Sequence, residues 1–185
     1  MATAITPLGI ASLALLAEQP MHPYEMYQTL IKRSEDRIVK VRPGSLYHTV
    51  DRLVADGLVR AIGTEREGNR PERTTYEITE SGQLSLTERV AEMLATRVNH
   101  YPEFPLAIGE AHNLPRDTVV DLLQRRLAQL RADLEFVATA VRAVTHKELP
   151  RKYWLEITYQ KAILEAEIGW IESFVAELES GDIDW

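Results

Sequence analysis

The stretch from Arg42 to Leu58, RPGSLYHTVDRLVADGL, leaves few folds open, because it joins a helix with marked ends to an abrupt change of period. Pro43 presets the backbone for a first helical turn, and Ser45 is placed to cap the free amides there. Gly57 ends the helix at a left-handed position that a residue without a Cβ adopts readily. Between them Leu46, Val50, Leu53 and Val54 recur at helical spacing and form the stripe to be buried. Ser45, His48, Thr49 and Arg52 form the other stripe, all able to donate hydrogen bonds. A short helix held from behind and polar in front suits a DNA major groove. A solvated surface helix shows the same pattern, so the neighbouring residues decide.

From Val59 the period becomes two. Residues 59–66 set Val59 and Ala61 against Arg60 and Ile62, and residues 73–78 set Thr74, Tyr76 and Ile78 against Thr75 and Glu77. These are two strands, and the Gly, Asn and Pro of residues 67–72 make a turn between them. Upstream, Thr6-Pro7 opens a helix to about Glu18 that is apolar nearly all round through Leu8, Ile10, Leu13, Leu15 and Leu16. Met21-His22-Pro23 opens a second helix to about Arg33, with Tyr24, Tyr27, Leu30 and Ile31 expected to face inward. Two helices before a polar-faced third make a helix-turn-helix, and a basic hairpin directly behind it makes a wing. Arg66, Arg70 and Arg73 on that wing are placed to reach phosphates or the minor groove, although each alone reads equally well as a solvated loop residue.

Thr79-Glu80-Ser81-Gly82 starts a fourth helix to about Asn99, with Leu84, Leu86, Val90, Leu94 and Val98 as its apolar side. Pro102 and Pro105 mark a boundary, dividing the chain into residues 1–99 and 100–185, with a short helix over residues 106–112. Pro115 opens a long helix in which Leu123, Leu127, Leu130, Leu134, Val137, Val141 and Val144 keep an unbroken heptad seam. Pro150 interrupts it. A last helix from about Arg151 repeats the seam through Trp154, Ile157, Leu164, Ile168, Ile171, Val175 and Leu178, with Lys161 as the polar member. It carries a second apolar face at Ile163, Ala166, Trp170 and Phe174. One face serves the neighbouring helix and the other calls for a partner, so a homodimer is expected, with Ile168, Ile171 and Phe174 as its candidate contacts. A helical hairpin packed on its own N-terminal domain is the alternative. Tyr153, Trp154, Tyr159 and Trp170 are candidates to line a pocket for a small aromatic effector, against the plainer reading of aromatic core. The expected fold class is mainly α: a winged helix-turn-helix with a fourth helix, then a helical dimerisation domain with coiled-coil-like long helices.

A net charge of −7 argues at first against nucleic acid. Its distribution argues the other way: residues 32–73 hold ten Lys or Arg against seven Asp or Glu, and residues 101–185 hold nine against fifteen. The absence of cysteine removes disulfides and thiolate metal sites and favours a cytoplasmic location. Leu8 to Ala17 is as apolar as a signal sequence, but no basic residue precedes it, and no stretch is long enough to span a membrane. His22, His48, His100, His112 and His146 lack metal-ligand spacing, and neither a phosphate loop nor a nucleophile elbow occurs. Neither an enzyme nor a cofactor is expected. The serious rival to DNA binding is a protein-interaction module, since winged helices also bind proteins.

The segments Leu13-Ala14-Leu15-Leu16, His22-Pro23-Tyr24-Glu25, Pro43-Gly44-Ser45-Leu46-Tyr47, Asp51-Arg52-Leu53, Asp56-Gly57-Leu58-Val59 and residues 76–82, YEITESG, together resemble PadR-family transcriptional regulators over about residues 5–98. The C-terminal helix pair is similar to that of the longer members. Pro23 departs from the family's usual glycine, and it suits a first helical turn. The resemblance implies a dimeric winged helix-turn-helix repressor on a pseudo-palindromic promoter site, in some relatives released by phenolic acids or hydrophobic drugs. Carried over by position, the reading residues are Ser45, Tyr47, His48 and Arg52 and the wing residues Arg66, Arg70 and Arg73. The effector does not carry over.

Overall fold

The computed structural model describes residues 5–65 and 73–185, and the chain divides into two compact units after Asn99. In the first, α1 (Pro7–Glu18) starts where the Thr6 hydroxyl accepts the Gly9 N–H at 3.2 Å. Leu8, Leu13, Leu15 and Leu16 are buried, as is Ser12, whose hydroxyl donates to the Leu8 carbonyl at 2.8 Å. α2 (Pro23–Lys32) is capped by a histidine: His22 Nδ1 accepts the Tyr24 N–H at 3.0 Å, and Glu25 Oε2 accepts the His22 N–H at 3.0 Å. α3 (Pro43–Ala55) follows, and Gly57 lies just past it at φ +72°.

β1 (Val59–Glu65) and β2 (Arg73–Ile78) pair antiparallel, Val59 opposite Ile78 and Ala61 opposite Tyr76, with an irregularity between Ala61 and Gly63. Met21 joins the sheet from the α1–α2 connection, exchanging both backbone hydrogen bonds with Tyr76 at 3.0 and 3.1 Å. That third rung ties the wing to the helix-turn-helix. α4 (Glu80–Ala95) begins at Thr79, whose hydroxyl accepts the Gly82 N–H and donates to the Gly57 carbonyl. Gly82 lies so close to the chain behind it that an added Cβ would stand 2.0 Å from the Leu58 carbonyl oxygen. Leu13, Met26, Leu30, Leu46, Val50, Leu53, Val59 and Leu86 close one core across these elements.

In the second unit α5 (Glu103–Gly109) and a 3-10 turn (Ala111–Asn113) precede α6 (Arg116–His146) and α7 (Leu155–Ser180). α6 and α7 form an antiparallel hairpin, closed where the Trp185 indole donates to the Leu114 carbonyl at 2.9 Å. Val119, Leu123, Leu127 and Leu130 meet Ile168, Ile171, Val175 and Leu178 in its core. Arg126 binds Glu167 at 2.6 Å and Arg131 binds Glu172 at 2.7 Å across the two helices. Among the described residues no helix is long and apolar enough to cross a membrane.

Several sequence expectations change. Ser45 does not cap α3: the cap position is Arg42, which makes no side-chain capping bond. Thr49 is buried, its hydroxyl donating to the Ser45 carbonyl at 2.8 Å, while Val54 is exposed. Tyr24 and Ile31 also face outward. α4 stops at Ala95, and of its expected apolar side only Leu86 is buried; Leu94 is 84% exposed. Only the first turns of α4, at Gly82 and Leu86, pack on the core, and residues 90–95 are exposed on every side, Met93 with Val90 and Leu94.

Two of the three expected dimer contacts are already covered within the chain. Ile171 is fully buried and Ile168 nearly so, both against α6 of the same chain, so the hairpin already occupies them. Phe174 is half-buried, stacked on Trp170 with ring centroids 5.3 Å apart.

Candidate nucleic-acid interface

A helix turns about 100° per residue, so burial of Leu46, Thr49, Val50 and Leu53 fixes which way the rest of α3 points. Opposite that wall runs a midline of Gly44, His48, Asp51 and Ala55, all exposed. The midline is small at both ends and carries its two hydrogen-bonding side chains in the centre. A Cβ on Gly44 would meet nothing within 4 Å, so the front of the helix is open to close approach. Tyr47 and Val54 flank the midline on one side, Ser45, Arg52 and Asp56 on the other.

The two flanks face different surroundings. Tyr47 meets the His22 ring edge-on at 6.2 Å. Burial, and then the nearby Arg73 cation, hold the His22 imidazole below its ordinary pKa, opposed by Glu25. His22, Tyr47 and the Arg73 charge therefore share one side of α3, and exposed Tyr24 stands next to the His22 cap. Arg52 lies on the other side, Nη2 3.5 Å from Thr6 Oγ1, in a notch with Ile5, Gly9 and Asp56 at the start of α1. Of the wing arginines, Arg73 is exposed, and Arg66 and Arg70 lie outside the described residues.

The arrangement offers donors and one anion along a groove-sized helix, with cations at its edges. Sequence reasoning missed His22, Tyr24 and Asp51. The first two read as an ordinary helix start, and only the fold brings the cap beside Tyr47. Asp51 could have been found by placing every polar residue of α3, not only the donors, on the helical wheel.

The candidate effector residues do not converge within one chain. Tyr153 and Tyr159 are exposed, and Trp154 donates its indole N–H to the Leu149 carbonyl at 2.9 Å, closing the turn before α7. Trp170 is 48% exposed and lies between Phe104 and Phe174. The stretch from Leu155 to Trp170 spans about 22 Å at 1.5 Å per residue, too far to line one small pocket.

Helix, wing and midline define a winged helix-turn-helix unit, here followed in the chain by a helical hairpin. Residues 13–88 match the transcriptional regulator PadR-like family. Solved structures share the fold: Bacillus subtilis PadR in complex with operator DNA is 21% identical, with a TM-score of 0.75 over 94% of this chain and 99% of that one. The same protein in complex with p-coumaric acid is 18% identical, with a TM-score of 0.75 over 93% and 98%. The PadR-like regulator BC1756 from Bacillus cereus is 14% identical, with a TM-score of 0.67 over 94% and 99%. A comparison with curated protein sequences finds no match.

Proposed function

We propose that this chain is a homodimeric transcriptional repressor that reads a pseudo-palindromic duplex site with α3 and grips flanking phosphates with the wing. The observation that carries the reading is the α3 midline, a polar stripe backed by a fully packed wall and framed by the cations Arg52 and Arg73. A relative of the same fold was solved on operator DNA, which supports the assignment. In this reading His48 meets a base edge, Ser45 and Tyr47 lie at the groove walls, and Arg52, Arg66, Arg70 and Arg73 meet phosphates. Removing His48 costs about 1–3 kcal/mol on the cognate duplex alone. Removing Arg73 weakens all duplexes alike and flattens the salt dependence by about one unit of slope. A mobility-shift titration in which both variants bind as the wild type does would end this assignment.

The second copy packs on the outer face of α7. Leu155, Tyr159, Ile163 and Trp170 are exposed there, with Ala162, Ala166 and Gly169 letting another helix approach closely. A dimer brings two reading helices to one duplex, which a lone unit cannot exploit, and the gain reaches about 10²–10⁴ in affinity. A small aromatic effector completes the proposal, supported by a relative solved with p-coumaric acid. Its pocket then takes Tyr159 or Trp170 together with residues of the second copy. Saturable quenching of tryptophan fluorescence by a phenolic acid, with DNA and ligand weakening each other by the same factor, is the expected result. Quenching that DNA leaves unchanged would remove the effector from the account.

A further inference from the structure

We infer that Asp51 is a specificity-determining residue, which selects cytosine or adenine, through the exocyclic amino group N4 or N6, on the strand that α3 faces at the centre of the site. The inference rests on the DNA-binding reading above. Asp51 is exposed on the midline of α3, one turn after His48 and one turn before Ala55, and directly opposite the buried wall. Its carboxylate makes no hydrogen bond or ion pair among the described residues. The residues one helical turn away, Tyr47, His48, Val54 and Ala55, include no Lys or Arg to neutralise it. Arg52 is adjacent in sequence but points to the other flank, into the notch beside Thr6.

An unpaired anion is out of place on a face pressed against phosphates, where it is repelled from every sequence alike. It is tolerated where it accepts a hydrogen bond that only certain bases supply. In the major groove those donors are the amino groups of cytosine and adenine, whereas guanine and thymine present acceptors that repel a carboxylate. The same charge thus rewards cytosine or adenine on the strand it faces and penalises guanine or thymine there. Gly44 and Ala55 at the two ends of the midline leave His48 and Asp51 as its farthest-reaching groups. Flanking Tyr47 and Ser45 stand at the groove walls and do not compete for the same base edge.

The test begins with the full-length wild-type chain and a pool of duplexes randomised over the central positions. The enriched sequence is then titrated with wild type, Asp51→Ala and Asp51→Asn, and with duplexes carrying each single replacement of the enriched pairs. Circular dichroism checks that the variants keep their helix content, which alanine at an exposed helix position preserves. Wild type is expected to enrich C or A at one central position, repeated by symmetry if two copies bind. Its preference there is on the order of tenfold to hundredfold over the other bases. Asp51→Ala is expected to lose that preference alone, with the preferences at other positions intact. Asp51→Asn is expected to favour adenine, whose N6 and N7 an amide meets together. If wild type enriches a site and Asp51→Ala keeps every preference, or binds all duplexes tighter by one common factor, the inference fails while the DNA reading stands. If wild type enriches no sequence, both fall.

Discussion

Gly82 shows how much one residue decides here. A Cβ at that position would collide with the Leu58 backbone and also meet Ile78 at 2.8 Å, and backbone cannot rotate aside as a side chain can. Gly82→Ala is therefore expected to lower the unfolding free energy of the N-terminal unit by about 1–3 kcal/mol or more in urea titrations. Gly44→Ala, with open space around it, is expected to be neutral or stabilising. His22 sets a second test. Its Nδ1 must be unprotonated to accept the Tyr24 N–H, and its folded pKa lies below the ordinary 6.5. The unfolded chain then takes up the proton first, so the cap's contribution is present above about pH 6.5 and is lost as pH falls through the folded pKa. Thermal midpoints are expected to drop on that acid side, and His22→Asn, a cap that does not titrate, is expected to reduce the drop. The histidine cap was invisible in the sequence because histidine is an uncommon cap, and Pro23 alone carried the helix-start signal.

Among the elements, the periodic ones were legible and the choice of face only in part. Helical spacing placed α1 and α3, and alternation placed both strands, because period depends on local geometry alone. Which apolar residues are buried depends on the partner element, and there the expectation for α4 fails, while the two faces of α7 divide as their spacing predicts. In α7, Ile168 and Ile171 belong to the seam with α6, and Ile163 and Trp170 to the outer face. In α3 the same ambiguity gave Thr49 to the polar face, since a threonine whose hydroxyl bonds back along its own helix packs as an apolar residue. The two faces of α7 separate by mutation. Ile171→Ala opens a cavity in the hairpin and is expected to cost about 2–5 kcal/mol of stability, read by thermal or urea unfolding. Ile163→Glu leaves the hairpin core untouched and is expected to keep the melting behaviour of a folded chain while sedimentation shows a monomer. If Ile163→Glu remains a dimer, the outer face of α7 is not the contact.

At the scale of the whole molecule the charge asymmetry and the helical seams have one explanation. In the proposed reading the acidic balance of residues 101–185 keeps phosphate away from the hairpin, and the more basic residues 32–73 meet it. α6, about 46 Å long at 1.5 Å per residue over its 31 residues, is longer than the roughly 34 Å between successive major grooves. A dimer of such hairpins can place two reading helices on one face of a duplex. The measurement that tests this most directly is fluorescence anisotropy of the full-length chain on its enriched duplex and on a scrambled duplex, over a series of salt concentrations. Binding to the enriched duplex is expected to be tighter by roughly 10³-fold or more, with affinity for both falling steeply as salt rises. Equal affinity for the two duplexes, or binding to neither at low salt, would contradict it.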